Sequence, residues 1–304
     1  MTKKQIITIL APYSWSAAIV PVTITTLFYL YQGGSFRLDL IVAILLAAVL
    51  GQSFTNIVNC YSDFMSGLDT EDTIFDSAGS VIVGEGVDPK DVKKLMGYVF
   101  IISIIPILYL TYIRGPLVLI FGGIGVISGL IYSAGPLPIS TTPIGEIYSG
   151  VVDGFFISGL SYFIYSGGLS WEIFFIAIPA VLWVTTMTFT NSICDMEKDS
   201  SHRLTLALLL GKERSILALK LFYLGMFSFL IGAVAIGLLP VSMLLLTLTL
   251  PVIWRRLTGI TTENTTMRNK FPLMGLSCGS GIIFFKVYTL IMAGEIIWRG
   301  VMPG

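Results

Sequence analysis

The sequence predicts an all-α, polytopic membrane protein with nine transmembrane helices, and three observations carry that reading. Hydrophobic residues make up 55% of the 304 positions and charged residues only 12%, with a mean hydropathy of +0.87; a soluble domain carries roughly a quarter charged residues. Stretches of about 20 apolar residues, the length that crosses a bilayer, recur at 12–31, 40–61, 95–113, 115–133, 145–166, 172–191, 216–236, 238–254 and 272–294. The basic residues between these stretches are also sorted to one side.

The first stretch follows Lys3 and Lys4 and continues to Tyr31, long enough to remain as a span rather than a cleaved leader. Prolines and glycines inside the stretches are compatible with spans, because neighbouring helices re-satisfy freed backbone groups. Arg114-Gly115-Pro116 and Gly237-Leu238-Leu239-Pro240 read as tight turns between consecutive spans. Nine spans put the termini on opposite sides. The N-terminus and the loops after even-numbered spans hold 14 basic residues, among them Lys90, Lys93, Lys94, Lys198, Arg203 and Lys270; the opposite face holds Arg37, Arg114 and Arg299, with Lys286 inside the ninth span. Positive residues face the cytoplasm. The sequence therefore predicts an integral cell membrane protein whose N-terminus and long loops, 62–94 and 192–215, are cytoplasmic and whose C-terminus lies opposite.

No soluble domain or linker interrupts the pattern, so 1–304 reads as a single transmembrane domain. Lys plus Arg and Asp plus Glu both total 18, a balance that points to no nucleic-acid partner; the partner it implies is the lipid bilayer, and no protein partner is expected. Cys60, Cys194 and Cys278 lack paired spacing and read as reduced, structural thiols.

Chemistry concentrates in two matched segments. Asn59 and Asp63, four residues apart, share a helical face at the end of the second span, and Gly67 is placed to end that helix and let Asp69 fold back. Asn191, Asp195 and Asp199 keep an i, i+4, i+8 spacing at the end of the sixth span. The repetition of Asn-x-x-x-Asp in the two halves suggests an old duplication. Oxygen donors of this kind suit Mg²⁺, which holds few protein carboxylates and completes its shell with water and substrate phosphate oxygens. Two such clusters can clamp one diphosphate and neutralise the charge that grows as it departs, with Asp63, Asp69, Asp195 and Asp199 as the catalytic acids. Glu71, Asp72, Asp76, Asp88, Asp91, Glu197 and Glu213 read as solvated loop acids. His202, the one histidine, fits a surface or a diphosphate-contact role.

On these motifs the chain resembles the UbiA superfamily of intramembrane aromatic prenyltransferases, in particular its 1,4-dihydroxy-2-naphthoate branch. The likeness runs from the opening Ala17-Ala18-Ile19-Val20-Pro21 through Asn59–Thr70, Tyr132-Ser133-Ala134-Gly135-Pro136-Leu137-Pro138 with Gly145-Glu146, to Asn191–Asp199, Thr205-Leu206-Ala207 and Gly211. The resemblance implies nine helices around a central cavity and Mg²⁺-diphosphate binding by Asn59, Asp63, Asp69, Asn191, Asp195 and Asp199. It further implies diphosphate contacts from Tyr132 and Arg203, and an apolar tunnel for the prenyl tail. The expected substrates are a polyprenyl diphosphate and an aromatic acid acceptor, and the product expected from dihydroxynaphthoate, with loss of CO₂, is demethylmenaquinone.

Three basic positions of the family pattern are missing here: Ala11-Pro12-Tyr13, Ser77-Ala78-Gly79-Ser80 and Cys194 stand where relatives often carry Arg or Lys. Lys94 and Lys198 are the loop candidates to replace them. Intramembrane charges usually face a cavity. Asp153 fits either an acceptor-orienting role or an interhelical hydrogen bond, and Lys286 fits a pairing role. Trp15, Trp171, Trp254 and Trp298 fall near span ends as interfacial anchors. Two alternatives remain open at this stage: a related transferase with another aromatic or lipid acceptor, and a secondary transporter, whose polar groups should instead gather at the bilayer midplane.

Overall fold

The computed structural model describes residues 1–71 and 79–301, and every regular element among them is helical. Asp72 and Asp76, together with Ser77 and Ala78, lie outside the described residues. The helices are α1 (Lys3–Leu10), α2 (Ser16–Tyr31), α3 (Leu38–Met65), α4 (Gly79–Val83), α5 (Pro89–Arg114), α6 (Leu117–Ser133) and α7 (Gly145–Ser166). They continue as α8 (Trp171–Cys194), α9 (Met196–Asp199), α10 (Leu206–Leu210), α11 (Lys212–Ala235), α12 (Val241–Thr258) and α13 (Lys270–Val301).

Each of the nine expected stretches is helical. Among the described residues seven helices are long and apolar enough to cross a membrane, and an eighth is reached if Lys3–Ser14 and Ser16–Tyr31, bent by 46°, count as one span. Within the first of these segments α1 itself ends at Ala11, which is left-handed at φ 49°, and at Pro12, which has no N–H to continue the helix. At 17 residues α6 is shorter than each of these seven. Length and composition alone therefore carry seven or eight crossings, short of the nine expected. Both expected tight turns are present, with Gly115 and Gly237 at φ 89° and 77°.

Hydrocarbon offers helices no hydrophobic drive to associate, so close packing must hold them. On α7 two glycines supply it. A Cβ on Gly150 would stand 2.1 Å from Thr185 Oγ1, and one on Gly154 would stand 2.4 Å from Val181 Cγ2, both on α8. Between and beyond them Val152–Phe156 widens to a π-helix, a local expansion often found at functional sites. Three apolar clusters result. The largest joins α2, α8, α11, α12 and α13 around buried Trp183, Tyr223 and Phe284; the second joins α1, α3, α4 and α5; the third joins α2, α3, α5, α6 and α7. At the third cluster Arg114 donates to the carbonyls of Ile164 and Tyr165, closing the last turn of α7 with a cation.

One expectation is corrected here. Lys286 does not pair with a buried acid: it is exposed, and no ion pair reaches it among the described residues. The helical phase explains this, since Phe284, Phe285 and Tyr288 occupy the inward face of α13 and leave residue 286 outside. Trp171, Trp254 and Trp298 are exposed, whereas the Trp15 indole is partly buried and donates to Ser53 Oγ at 2.9 Å.

Because α7 and α8 meet through glycine, Gly154→Leu should cost about 1–3 kcal/mol by overpacking, read as a lowered thermal unfolding midpoint of the detergent-purified protein; an unchanged midpoint would mean that the two helices can separate freely.

Candidate active site

The first motif is shaped by the end of α3. The helix stops at Met65, Gly67 adopts φ 74°, and the amides of Leu68 and Asp69 donate to the Asp63 carbonyl at 3.0 and 3.3 Å. This left-handed cap folds Asp69 back toward Asp63, as the spacing predicts, and leaves Asp69 buried. Asn59, one turn earlier, donates from its amide to Ser133 Oγ at 3.2 Å, fixing α3 to the end of α6.

The second motif is not one uninterrupted helix. α8 ends at Cys194, Asp195 takes a non-helical φ −94°, ψ 8°, and the four-residue α9 follows. The face is nevertheless kept, because Asp195 N–H donates to Asn191 O at 3.0 Å and Asp199 N–H to Asp195 O at 2.8 Å. Asn191 also donates from its amide to Asp195 Oδ2 at 3.2 Å.

Both motifs open on one cavity of about 420 Å³. All ten residues singled out from the sequence line it: Asn59, Asp63, Asp69, Tyr132, Asp153, Asn191, Asp195, Lys198, Asp199 and Arg203. Its walls draw on all three apolar clusters and reach Ile44, Leu110, Val118 and Ile164. At the polar end three cations tie the acids together. Lys198 of the second motif pairs with Asp69 of the first at 2.6 Å, Arg203 pairs with Asp63 and lies 3.9 Å from Asp199, and Lys270 pairs with Asp195 at 2.6 Å. Burial pushes the Asp199 carboxyl up to about 6, with Arg203 opposing and Asp195 adding to the rise. For Arg203 burial acts downward, yet Asp63 and Asp199 outweigh it and hold the guanidinium charged.

Lys270 is the residue that motif reading missed. It stands 75 positions from Asp195, on a different span, and its one sequence signal was a charge at the start of an apolar stretch. Of the two loop candidates for the missing basic contacts, Lys198 lines the cavity, whereas Lys94 pairs with Asp91 at 2.8 Å on the surface. His202 is exposed and bonds to Ser201. Tyr132 stacks on Tyr148 with centroids 6.2 Å apart and planes at 7°. Among the described residues no hydrogen bond or ion pair reaches the Asp153 side chain.

The donor set can be tested for a metal. Among the described residues no three acidic or soft ligands converge closely enough to enclose an ion; each motif acid leans on a cation instead. Mg²⁺ does not require such a cage, since one or two carboxylates suffice when water and phosphate oxygens complete the octahedron. The all-oxygen set of Asn59, Asp63, Asp69, Asn191, Asp195 and Asp199 on one wall fits that requirement, and the neighbouring cations fit an anionic headgroup.

The cavity of this helical membrane protein thus carries carboxylates and cations beside apolar walls, an arrangement whose chemistry matches an amphipathic molecule with an anionic head. The model of the UbiA prenyltransferase family matches residues 18–279, and the chain belongs to that family. It is 30% identical over 229 residues to the 1,4-dihydroxy-2-naphthoate octaprenyltransferase of Bacillus subtilis, covering 74% of this chain and 72% of that one. It is 25% identical over 289 residues to UbiA prenyltransferase domain-containing protein 1 of Xenopus tropicalis, covering 93% and 81%. Two solved folds are similar. The apo UbiA homologue from Aeropyrum pernix K1 has a TM-score of 0.65 and 16% identity over 94% of this chain and 98% of that one. The Archaeoglobus fulgidus UbiA homologue bound to GPP and Mg²⁺ has a TM-score of 0.63 and 14% identity over 93% and 99%.

The Arg203–Asp63 contact joins the two motifs, and removing one partner leaves a mostly buried charge alone. In a double-mutant cycle of Arg203→Ala and Asp63→Ala, followed by unfolding in detergent, the coupling should be about 1–3 kcal/mol; additive effects would mean that the pair does not hold the motifs together.

Proposed function

We propose that this protein transfers a polyprenyl group from a prenyl diphosphate to 1,4-dihydroxy-2-naphthoate, with loss of the acceptor carboxylate as CO₂, to form demethylmenaquinone. The observation that carries the proposal is the convergence of both Asn/Asp motifs and three cations on the polar end of a cavity whose remaining walls are largely apolar. The acceptor is taken from the Bacillus subtilis relative.

In this reading Asn59, Asp63, Asp69, Asn191, Asp195 and Asp199 hold Mg²⁺, which when bound supplies charge neutralisation at the departing diphosphate. Lys198, Arg203 and Lys270 exchange their carboxylate partners for diphosphate oxygens, a charge-assisted contact of similar strength. Tyr132 contacts the diphosphate from α6. The allylic tail lies against Ile44, Leu110, Val118 and Ile164, where apolar walls exclude water from the cationic carbon. Asp153 faces the acceptor and orients its ring for attack on that carbon. The polar residues sit at helix ends and in loops, which favours a headgroup arriving from water over the midplane site of a transporter.

The purified protein, given Mg²⁺, a polyprenyl diphosphate and 1,4-dihydroxy-2-naphthoate, should form a decarboxylated prenylated naphthoquinone detectable by mass spectrometry. Asp63→Ala and Asp195→Ala should each lower turnover by about a hundredfold or more, and chelation should abolish it; product formation without Mg²⁺ would sink the metal assignment. The charge bias supports a cytoplasmic N-terminus and a cytoplasmic loop 192–215. A single cysteine introduced at His202 should therefore react with a membrane-impermeant maleimide in inverted vesicles and stay unlabelled in intact cells.

A further inference from the structure

Glu146, in the first turn of α7, is 3% exposed, and among the described residues no Lys or Arg forms an ion pair with it. A buried carboxyl must then find its donors elsewhere. Its Oε2 accepts from Leu206 N–H at 3.4 Å, across 60 positions of chain. The Ser192 hydroxyl and the Ala207 N–H are the other hydrogen-bond partners that the carboxyl meets from outside its own helix. Leu206 and Ala207 open α10, and the first amides of a helix have no carbonyl within it to bond. Thr205 Oγ1 caps the third of them, accepting from Leu208 N–H at 3.3 Å. Glu146 takes the first two from a different helix.

Where these contacts fall in the chain gives them their meaning. Ser192 follows Asn191 directly, and Leu206 lies three residues past Arg203. One side chain therefore touches both ends of 192–206, the segment that carries Asp195, Lys198, Asp199 and Arg203 to the cavity. The far end is pinned a second time by Leu204 N–H, which donates to Thr141 O at 3.0 Å in the loop leading to α7. Inside the segment α9 has four residues and Asp195 is not helical, so regular structure does little to hold its shape. Glu146 is itself fixed from behind. Ser149 Oγ donates to its carbonyl at 2.8 Å and Thr188 Oγ1, on α8, at 3.4 Å. A Cβ on neighbouring Gly145 would stand 2.9 Å from Ile139 O, so the approaching loop is packed against the same turn. A side chain locked in this way can impose the position of α7 on the segment it holds.

We infer that Glu146 is a positioning residue that clamps both ends of the second-motif segment and so holds Asp195, Asp199 and Arg203 against the first motif. It acts through that segment and touches no substrate. The inference rests on the reading of the two motifs as a Mg²⁺-diphosphate site. A carboxyl offers an acceptor on each arm and an amide on one only, so Glu146→Gln keeps part of the clamp and Glu146→Ala none of it.

The test uses the full chain in detergent and two readouts that need no turnover. In Glu146→Ala, hydrogen–deuterium exchange at the amides of 204–207 should quicken by about tenfold or more, because buried N–H groups lose their acceptor. Peptides from the middle of α3 and of α13 should exchange as in wild type. Binding of geranyl diphosphate in the presence of Mg²⁺ should weaken by about tenfold to a hundredfold, the usual cost of removing a partner that orients a metal-binding group. Glu146→Gln should show both effects at smaller size, and it carries the test if Glu146→Ala is not recovered folded. The inference is overturned if exchange at 204–207 is unchanged, or if it quickens equally in α3 and α13, which would mark a general loss of stability. It is also overturned if 204–207 loosens while geranyl diphosphate binds as in wild type. Wild type that binds no geranyl diphosphate with Mg²⁺ would instead overturn the diphosphate reading of the motifs, an outcome read before any variant is made.

Discussion

The arrangement of the polar end depends on charge pairing between two segments that are far apart in sequence. Asp69 and Lys198 are separated by 129 residues and Asp63 and Arg203 by 140, yet both contacts are mostly buried. An acid left alone there would be expensive, because a low-dielectric surround strengthens every unbalanced charge. The ends of α3 and α8 must therefore meet for either to be tolerated. Once they meet, the position of every other group around the cavity follows from the helices that carry them. Stability is a weak reason to retain such pairs, since apolar substitutes are often as stable. The stronger reason is chemical: a cation resting on a carboxylate can exchange that partner for a phosphate at small net cost.

The apolar part of the molecule serves this arrangement by a different means. Lipid gives no hydrophobic reward for bringing α7 to α8, so Gly150 and Gly154 permit backbone contact where larger side chains would hold the helices apart. The π-helical turn at Val152–Phe156 lies within this close contact and contains Asp153, so the same segment that packs most tightly also carries an ionisable group on the cavity wall. Placing an acid on a helix locked to its neighbour restricts where that acid can move, which a binding contact requires.

What the sequence disclosed, and what it withheld, divides along the same line. Patterns that are local in the chain were legible: nine apolar stretches became helices, Gly67 ended α3 as its conformational freedom allows, and all ten candidate side chains reached one cavity. Properties that depend on which helices become neighbours were not. Lys270 carries no motif and becomes a site residue only because α13 begins beside Asp195. Lys286, read as a paired intramembrane charge, lies on the outer face because its helical phase was fixed by Phe284, Phe285 and Tyr288, which sequence hydropathy alone does not rank. The break at Asp195 and the end of α1 at left-handed Ala11 were likewise invisible to a reading of periodicity, as both reflect single residues leaving helical geometry.

The source of positive charge beside the second motif bears on how the polar end of the cavity can work. Cys194, next to the second-motif Asp195, is buried in the largest apolar cluster, turned to packing rather than to charge. The positive charge beside Asp195 comes instead from Lys270, whose ammonium reaches that aspartate from α13. A lysine on a flexible stem is a point charge with three rotatable donors, whereas arginine presents a planar fork. Substituting one for the other exchanges fixed bidentate geometry for reach. One of the cations at the polar end is thus anchored to the last helix, so that in the proposed reading the headgroup contacts draw on the ends of α3, α8 and α13 together.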